Sequence, residues 1–285
     1  MSGQGKDLHF VPDGARELTE RRRWQAERLL YAALAPIGGA RPVFVRVLER
    51  ALAQARRGEA GFWLPMAFAL HRFGAGLELP VPTAAIEHVL LDGVAAGGRR
   101  LHTGQWFIGA GDWTPILWPI GRHQVSQEAA ELLAQDLCFR DTAVYRHYRL
   151  RAEGGRPMVR NRVALDSVER IDAYFERFVA LFRSIRAQGV LRRSALPERA
   201  RQGGGQRSWW TELGEQDIGV ALHSTGRLSK LPGGQHRFAI ARALGLDAVP
   251  VQVRLLHVDA LQGRSAAELV SLIEMGRLRE LCNAR

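Results

Sequence analysis

The feature that most constrains this chain is a glycine pair set between a strand and a helix: Gly233-Gly234-Gln235-His236-Arg237. Its surroundings read cleanly. Asp166 and Ser167 offer N-caps to a helix whose apolar stripe is Ile171, Tyr174, Phe175, Phe178, Leu181, Phe182 and Ile185. Gly189 stands where a helix C-cap is expected. Ile218 to His223 predicts a strand, Ser224-Thr225-Gly226 a turn, and Arg227 to Leu231 a short extended segment. After the glycine pair, Phe238 to Leu244 predicts a helix closed by Gly245, and Val249 to Leu255 a strand carrying Pro250. The order is helix, strand, glycine turn, helix, strand.

A glycine turn that opens a helix can set several backbone N–H groups against one anion, and the helix dipole favours negative charge there. Glycine permits the close approach because no side chain intervenes. Arg237 adds a fork of donors that suits phosphate oxygens. His236 is a candidate to donate a further hydrogen bond or to move a proton. The plainer reading of the same residues is a tight turn and a helix cap.

The run Gly234 to Gly245, followed by Val249-Pro250-Val251, resembles the arginine box of ParB-like domains. Upstream, Leu181-Phe182-Arg183-Ser184-Ile185-Arg186-Ala187-Gln188-Gly189 resembles the first box of the same family, a helix ending in Ser-Ile and then glycine. The resemblance covers about residues 160 to 257, roughly a third of the chain. It implies a small α/β fold of the ParB/sulfiredoxin kind that binds ATP or CTP with the arginine box on the phosphates. Gly233, Gly234, Gln235, His236 and Arg237 are then the core of the nucleotide site, with Ser184 and Lys230 as further candidates. Lys230 reads equally as an exposed turn residue. Gly111-Asp112-Trp113 and Asp141-Thr142-Ala143-Val144-Tyr145 look like elements that precede such domains in some bacterial proteins, which suggests one larger unit over about 97–257.

Departures from the relatives narrow the function. Sulfiredoxins carry cysteine in this turn, and Gln235 stands there instead. An amide cannot replace a thiolate nucleophile, so sulfinic-acid reduction is rejected. Only 28 residues follow His257, too few for the helix-turn-helix domain of partitioning proteins. Free-serine kinases share the fold and use a carboxylate base, for which Glu215 and Asp217 lie near the right strand and Asp247 is a third candidate. No Gly-x-x-x-x-Gly-Lys loop is present.

The leading expectation is a phosphotransferase acting with ATP or CTP and Mg²⁺ on a small hydroxyl-bearing substrate, with Glu215, Asp217 and His236 as catalytic candidates. A nucleotide-gated binding or regulatory protein without transfer chemistry is the alternative. A nucleic-acid-binding protein or nuclease is the third reading, resting on the net charge of +11. That charge is carried by arginine, since Lys6 and Lys230 are the only lysines. Genome composition explains such a bias as well as function does.

The remaining chain adds architecture rather than chemistry. Helices are expected over 17–34, 43–56, 63–73 and 83–93, making residues 1–96 a helical subdomain. Residues 97–157 form an aromatic and glycine-rich extension, with strand and loop at Trp106 to Trp113, a helix over 127–137, and alternating Tyr148 and Leu150 beyond. Residues 158–260 are the ParB/sulfiredoxin-like domain and 261–285 a C-terminal helix. The fold class expected is α+β. Trp209-Trp210 suits stacking or loop anchoring; Trp106, Trp113 and Trp118 suit a sugar pocket or packing, with packing preferred. His223 and His257 read as core or surface histidines. Two cysteines, Cys138 and Cys282, make no disulfide framework. No apolar run is long enough for a membrane span or a secretory signal, so the expected setting is cytoplasmic.

Overall fold

Strand Ala248–His257 is buried along nearly its whole length, and its Val249, Val251, Val253, Leu255 and Leu256 explain why. Val249, Val251, Val253 and Leu256 pack into the main core, while Leu255 and the buried Gln252 and Arg254 show that the strand is covered elsewhere as well. The computed structural model of the protein describes residues 9–10, 18–58, 60–94, 100–160, 163–192 and 217–282.

In chain order the N-terminal elements are β1 (His9–Phe10), α1 (Leu18–Gly38), α2 (Arg41–Ala55), β2 (Gly61–Pro65), α3 (Met66–Phe73), β3 (Glu78–Pro82) and β4 (Ile86–Leu90). The middle holds β5 (Gly93–Val94), β6 (Arg100–Leu101), β7 (Trp106–Ala110), β8 (Leu117–Pro119), α4 (Gln124–Ala134), α5 (Ala143–Glu153), β9 (Met158–Arg160), β10 (Val163–Leu165) and α6 (Val168–Gln188). The last stretch holds β11 (Ile218–Leu222), β12 (Leu228–Lys230), α7 (Gln235–Ala243), β13 (Ala248–His257), α8 (Ala266–Glu274) and α9 (Arg279–Cys282).

The protein is α+β, built on an eight-stranded mixed sheet: seven strands in the order β2-β7-β13-β11-β12-β4-β8, and β3, which joins at β13 beside β7. β13 is long enough to share one edge between two neighbours. β3 pairs antiparallel with residues 248–252 and β7 parallel with Leu256 and His257. β11 runs parallel to β13 on the other edge, and β12 runs parallel to β4.

One face of the sheet is buried under Phe44, Leu48 and Leu52 of α2, Phe238 and Ala241 of α7, and Leu269, Val270 and Ile273 of α8. A second apolar cluster joins α4, α5 and α6 to the outer side of α7, through Leu132, Tyr148, Phe175, Phe178 and Ile240. The opposite face carries Phe62, Leu90, Trp113, Ile116, Ala221, Leu231 and Leu255.

Two expectations for the N-terminal region are corrected. Ile86–Leu90 is a strand, not part of a helix over 83–93, and Gly61–Pro65 is a strand preceding the shorter helix α3. Ile86, Val89 and Leu90 fit helical spacing, but β12 supplies a parallel partner from far along the chain. Tertiary pairing overrides the local pattern. Residues 61–90 therefore contribute three strands to the same sheet as 218–257, and Phe44 and Leu48 share a core with Val220 and Leu256. The N-terminal part is not a separate helical subdomain. In the middle, Tyr148 and Leu150 lie on helix α5 rather than on an alternating segment; Thr142 caps it by accepting from the Tyr145 N–H at 3.1 Å.

Candidate functional site

The glycine turn sits at the edge where β11 begins. Gly233 and Gly234 have φ of 112° and 62°, the left-handed region that glycine adopts at little cost. Gly234 also lies flat against β11, since a Cβ there would stand 3.0 Å from the Ile218 Cα. Beneath the turn Lys230 is fully buried, and its Nζ donates to the carbonyls of Leu231 and Gly233. Burial pushes its pKa well below the ordinary lysine value, and Arg254 and Arg237 add to the effect.

That anchor decides which way the turn faces. Across a trans peptide the carbonyl of one residue and the N–H of the next point in opposite directions. With the Gly233 carbonyl drawn inward to Lys230, the Gly234 N–H is turned outward. α7 then begins with no side-chain cap, unlike α6, where Ser167 accepts from the Arg170 N–H, and α8, where Ser265 and Glu268 form a capping box. The first N–H groups of a helix have no partner within it.

Arg237, on the first turn of α7, donates to the Asp217 carboxylate at 3.2 Å and to the Leu191 carbonyl at 3.3 Å. Arg254 approaches from β13, is buried, and donates to Gln252 at 3.2 Å. Gly219 makes room for it, because a Cβ there would stand 2.7 Å from the Arg254 Cδ. Burial, then the charge of Arg28, lowers the Arg254 pKa to about 10. Glu78 on β3 is paired with Arg192 at 2.9 Å. Burial raises its pKa, Arg192 opposes that, and the nearby Asp217 charge adds to it. Lys230, Arg237 and Arg254 thus meet at one glycine turn, with the Asp217 carboxylate on Arg237 and the Glu78–Arg192 pair within electrostatic reach of Asp217.

His236 faces the other way. Its Nε2 meets the Tyr174 hydroxyl at 3.0 Å and its ring packs edge-on against Phe178. Tyr174 donates to Glu128 at 2.8 Å, so its oxygen accepts from a protonated Nε2 of a neutral imidazole. Glu128, 1 % exposed, also accepts from Tyr148 at 2.5 Å and from Arg160 at 2.7 Å. Burial lowers the His236 pKa to about 4. His236 is therefore an anchor between α7 and the α4–α6 layer, not a proton carrier at the mouth of the turn.

The other sequence candidates separate. Asp217 is brought to Arg237. Gln235 opens α7. Ser184 is on the exposed side of α6, and Asp247 is exposed beyond the far end of α7, a helix about 13 Å long. Glu215, Trp209 and Trp210 lie outside the described residues.

Set against known proteins, the chain matches no family model, no curated protein and no solved structure. Among the described residues no group of three or more His, Cys, Asp or Glu side chains suits a metal ion, and no helix is long and apolar enough to cross a membrane.

A second concavity opens at the other end of β11; of the three tryptophans read as suiting a sugar pocket or packing, Trp113 alone lines it, together with His223 and His257, which were read as core or surface residues. It has a volume of about 490 Å³ and lies where β7, β11 and β13 end, at Gly111, His223 and His257. The Trp113 ring stands edge-on to both imidazoles, with centroids 5.1 Å from His223 and 4.7 Å from His257. His257 accepts from the Asp259 N–H at 3.2 Å through Nδ1, so its Nε2 carries the proton donated to the Gly111 carbonyl at 2.9 Å. The signal available in the sequence was positional: polar residues immediately after parallel strands are where open sheets bind ligands.

Proposed function

We propose that this protein binds the phosphates of ATP or CTP at the Gly233-Gly234 turn and transfers the terminal phosphoryl group to a small hydroxyl-bearing acceptor. The observation that carries the reading is the inward-drawn Gly233 carbonyl, which turns the Gly234 N–H outward at the uncapped start of α7, on whose first turn Arg237 stands. A phosphate there satisfies helix N–H groups and receives the guanidinium fork. The order strand, glycine turn, helix, strand, with β11 and β13 parallel, supports the ParB/sulfiredoxin-like reading of residues 160–257.

In transfer, the acceptor oxygen bonds to the terminal phosphorus as the bond from that phosphorus to the β,γ-bridging oxygen breaks. The nucleoside diphosphate leaves, and the acceptor proton passes to the Asp217 carboxylate. Arg237 holds Asp217 now; a phosphate competes for that guanidinium and shifts the carboxylate toward the acceptor. Mg²⁺ would accompany the nucleotide, held mainly by its phosphates, and would neutralise charge on the transferred group; Glu78 is the carboxylate that could assist while Asp217 takes the proton.

The Arg237–Asp217 pair also supports the second reading. If exchange of Asp217 for phosphate is the whole event, nucleotide binding alone repositions the start of β11, and the protein is a nucleotide-gated binder. A nucleic-acid role has only the net charge behind it. The test is thermal stability with ATP, CTP, GTP and Mg²⁺, beside Arg237→Ala. A nucleotide at a hundred times its dissociation constant adds about 2.7 kcal/mol. A base-selective shift lost in the variant supports the site; no shift with any nucleotide sinks both nucleotide readings.

A further inference from the structure

We propose that the concavity at the ends of β7, β11 and β13 is a second ligand site, for a small neutral polyol or sugar. The inference does not rest on the nucleotide reading. From Ile218 to Leu222 the strand that separates the two places spans about 13 Å, too far for an acceptor held here to meet a phosphate held at the turn.

The lining selects the ligand. Asp112, Asp259 and Glu87 face a single guanidinium, Arg227, so this wall is electronegative on a chain of net charge +11. Anions are disfavoured there. The histidines do not reverse the sign. His223 is held at a pKa of about 4, first by burial and then by the neighbouring His257 and His88, and both ring nitrogens of His257 are already engaged, by the Asp259 N–H and the Gly111 carbonyl.

Two buried polar atoms, Trp113 Nε1 and His223 Nε2, have no hydrogen-bond partner among the described residues. Trp113 itself is 3 % exposed. An indole N–H needs an acceptor, the carboxylates need donors, and the His223 Nε2 needs one or the other according to its tautomer. A hydroxyl is both; a bare ammonium only donates. Several hydroxyls on one small frame therefore match this lining better than an amine or an acid does. A concavity of about 490 Å³ has room for such a molecule.

The probes are glucose, mannitol and myo-inositol, with putrescine and inorganic phosphate as charged controls, titrated calorimetrically into the full chain. The variants are Asp112→Asn and Asp259→Ala, the second at a side chain 72 % exposed and hence safe for folding. Arg237→Ala serves as the comparison at the turn. Saturable binding of at least one neutral probe, weakened tenfold or more in either carboxylate variant and unchanged in Arg237→Ala, is the expected result. The proposal is overturned if no neutral probe binds, if only putrescine or phosphate binds, or if neutral binding survives both carboxylate substitutions.

Discussion

Arg237 reaches back across the mouth of the glycine turn to hold Asp217 at 3.2 Å, so the residue suited to a phosphate is already engaged by a carboxylate. Phosphate binding on this account is an exchange, in which one anion replaces another on the same guanidinium.

Asp217→Asn separates binding from transfer. Removing the competing charge leaves nucleotide affinity equal or tighter. Phosphoryl transfer falls by about 10²–10⁴, the range expected for loss of a positioned general base. Calorimetric titration and a single-turnover transfer assay on the same preparation check this. Weaker binding in the variant contradicts the exchange, and unchanged transfer removes Asp217 as the base.

Lys230 holds the turn from below. Lys230→Met leaves the Leu231 and Gly233 carbonyls without their donor, and an unsatisfied buried acceptor costs about 1–3 kcal/mol. Urea unfolding of the variant is expected to show that loss, together with weaker nucleotide binding. Full stability in Lys230→Met contradicts the anchoring role.

Two glycines with nearly equal φ isolate the close approach of the turn to β11. Gly234 at 62° faces the Ile218 backbone, whereas Gly245 at 66° opens on empty space. Substituting alanine costs about 1–2 kcal/mol at either position for the left-handed backbone. Gly234→Ala is expected to lose more than Gly245→Ala in chemical denaturation. Equal losses contradict the contact.

How much of this was legible in the sequence depends on where each residue's partner lies. α6 was readable because Ser167 and Gly189 mark its ends locally. The glycine turn was readable because φ near 62° and 112° demands glycine whatever surrounds it. β4 was misread because its apolar spacing suits a helix, and the deciding partner is β12. The orientation of His236 was hidden for the same reason. Its neighbour Tyr174 lies 62 positions away, and Glu128 lies 46 positions beyond that. The concavity gathers Asp112, His223 and His257 from three strand ends, and no local pattern joins them.

Acid is expected to destabilise this protein through two histidines. Burial is the main cause holding both His223 and His236 at a pKa of about 4, against about 6.5 in an unfolded chain. The unfolded chain binds more protons between those values. Stability is thus full above pH 6.5 and declines as pH falls toward 4, by about 3 kcal/mol for each residue at the lower end. His236→Gln is expected to flatten part of that slope in urea titrations between pH 6.5 and 4. An unchanged slope contradicts the buried neutral imidazole.

Amide resonances report the central claim most directly. In a ¹H–¹⁵N correlation spectrum of the full chain titrated with ATP or CTP and Mg²⁺, the account predicts saturable shifts at Gly234, Gln235 and the Arg237 guanidinium. The same titration of Arg237→Ala is predicted to leave Gly234 and Gln235 near their starting positions. Nucleotide-induced shifts confined to other residues, or no shift at all, would contradict a phosphate site at the turn.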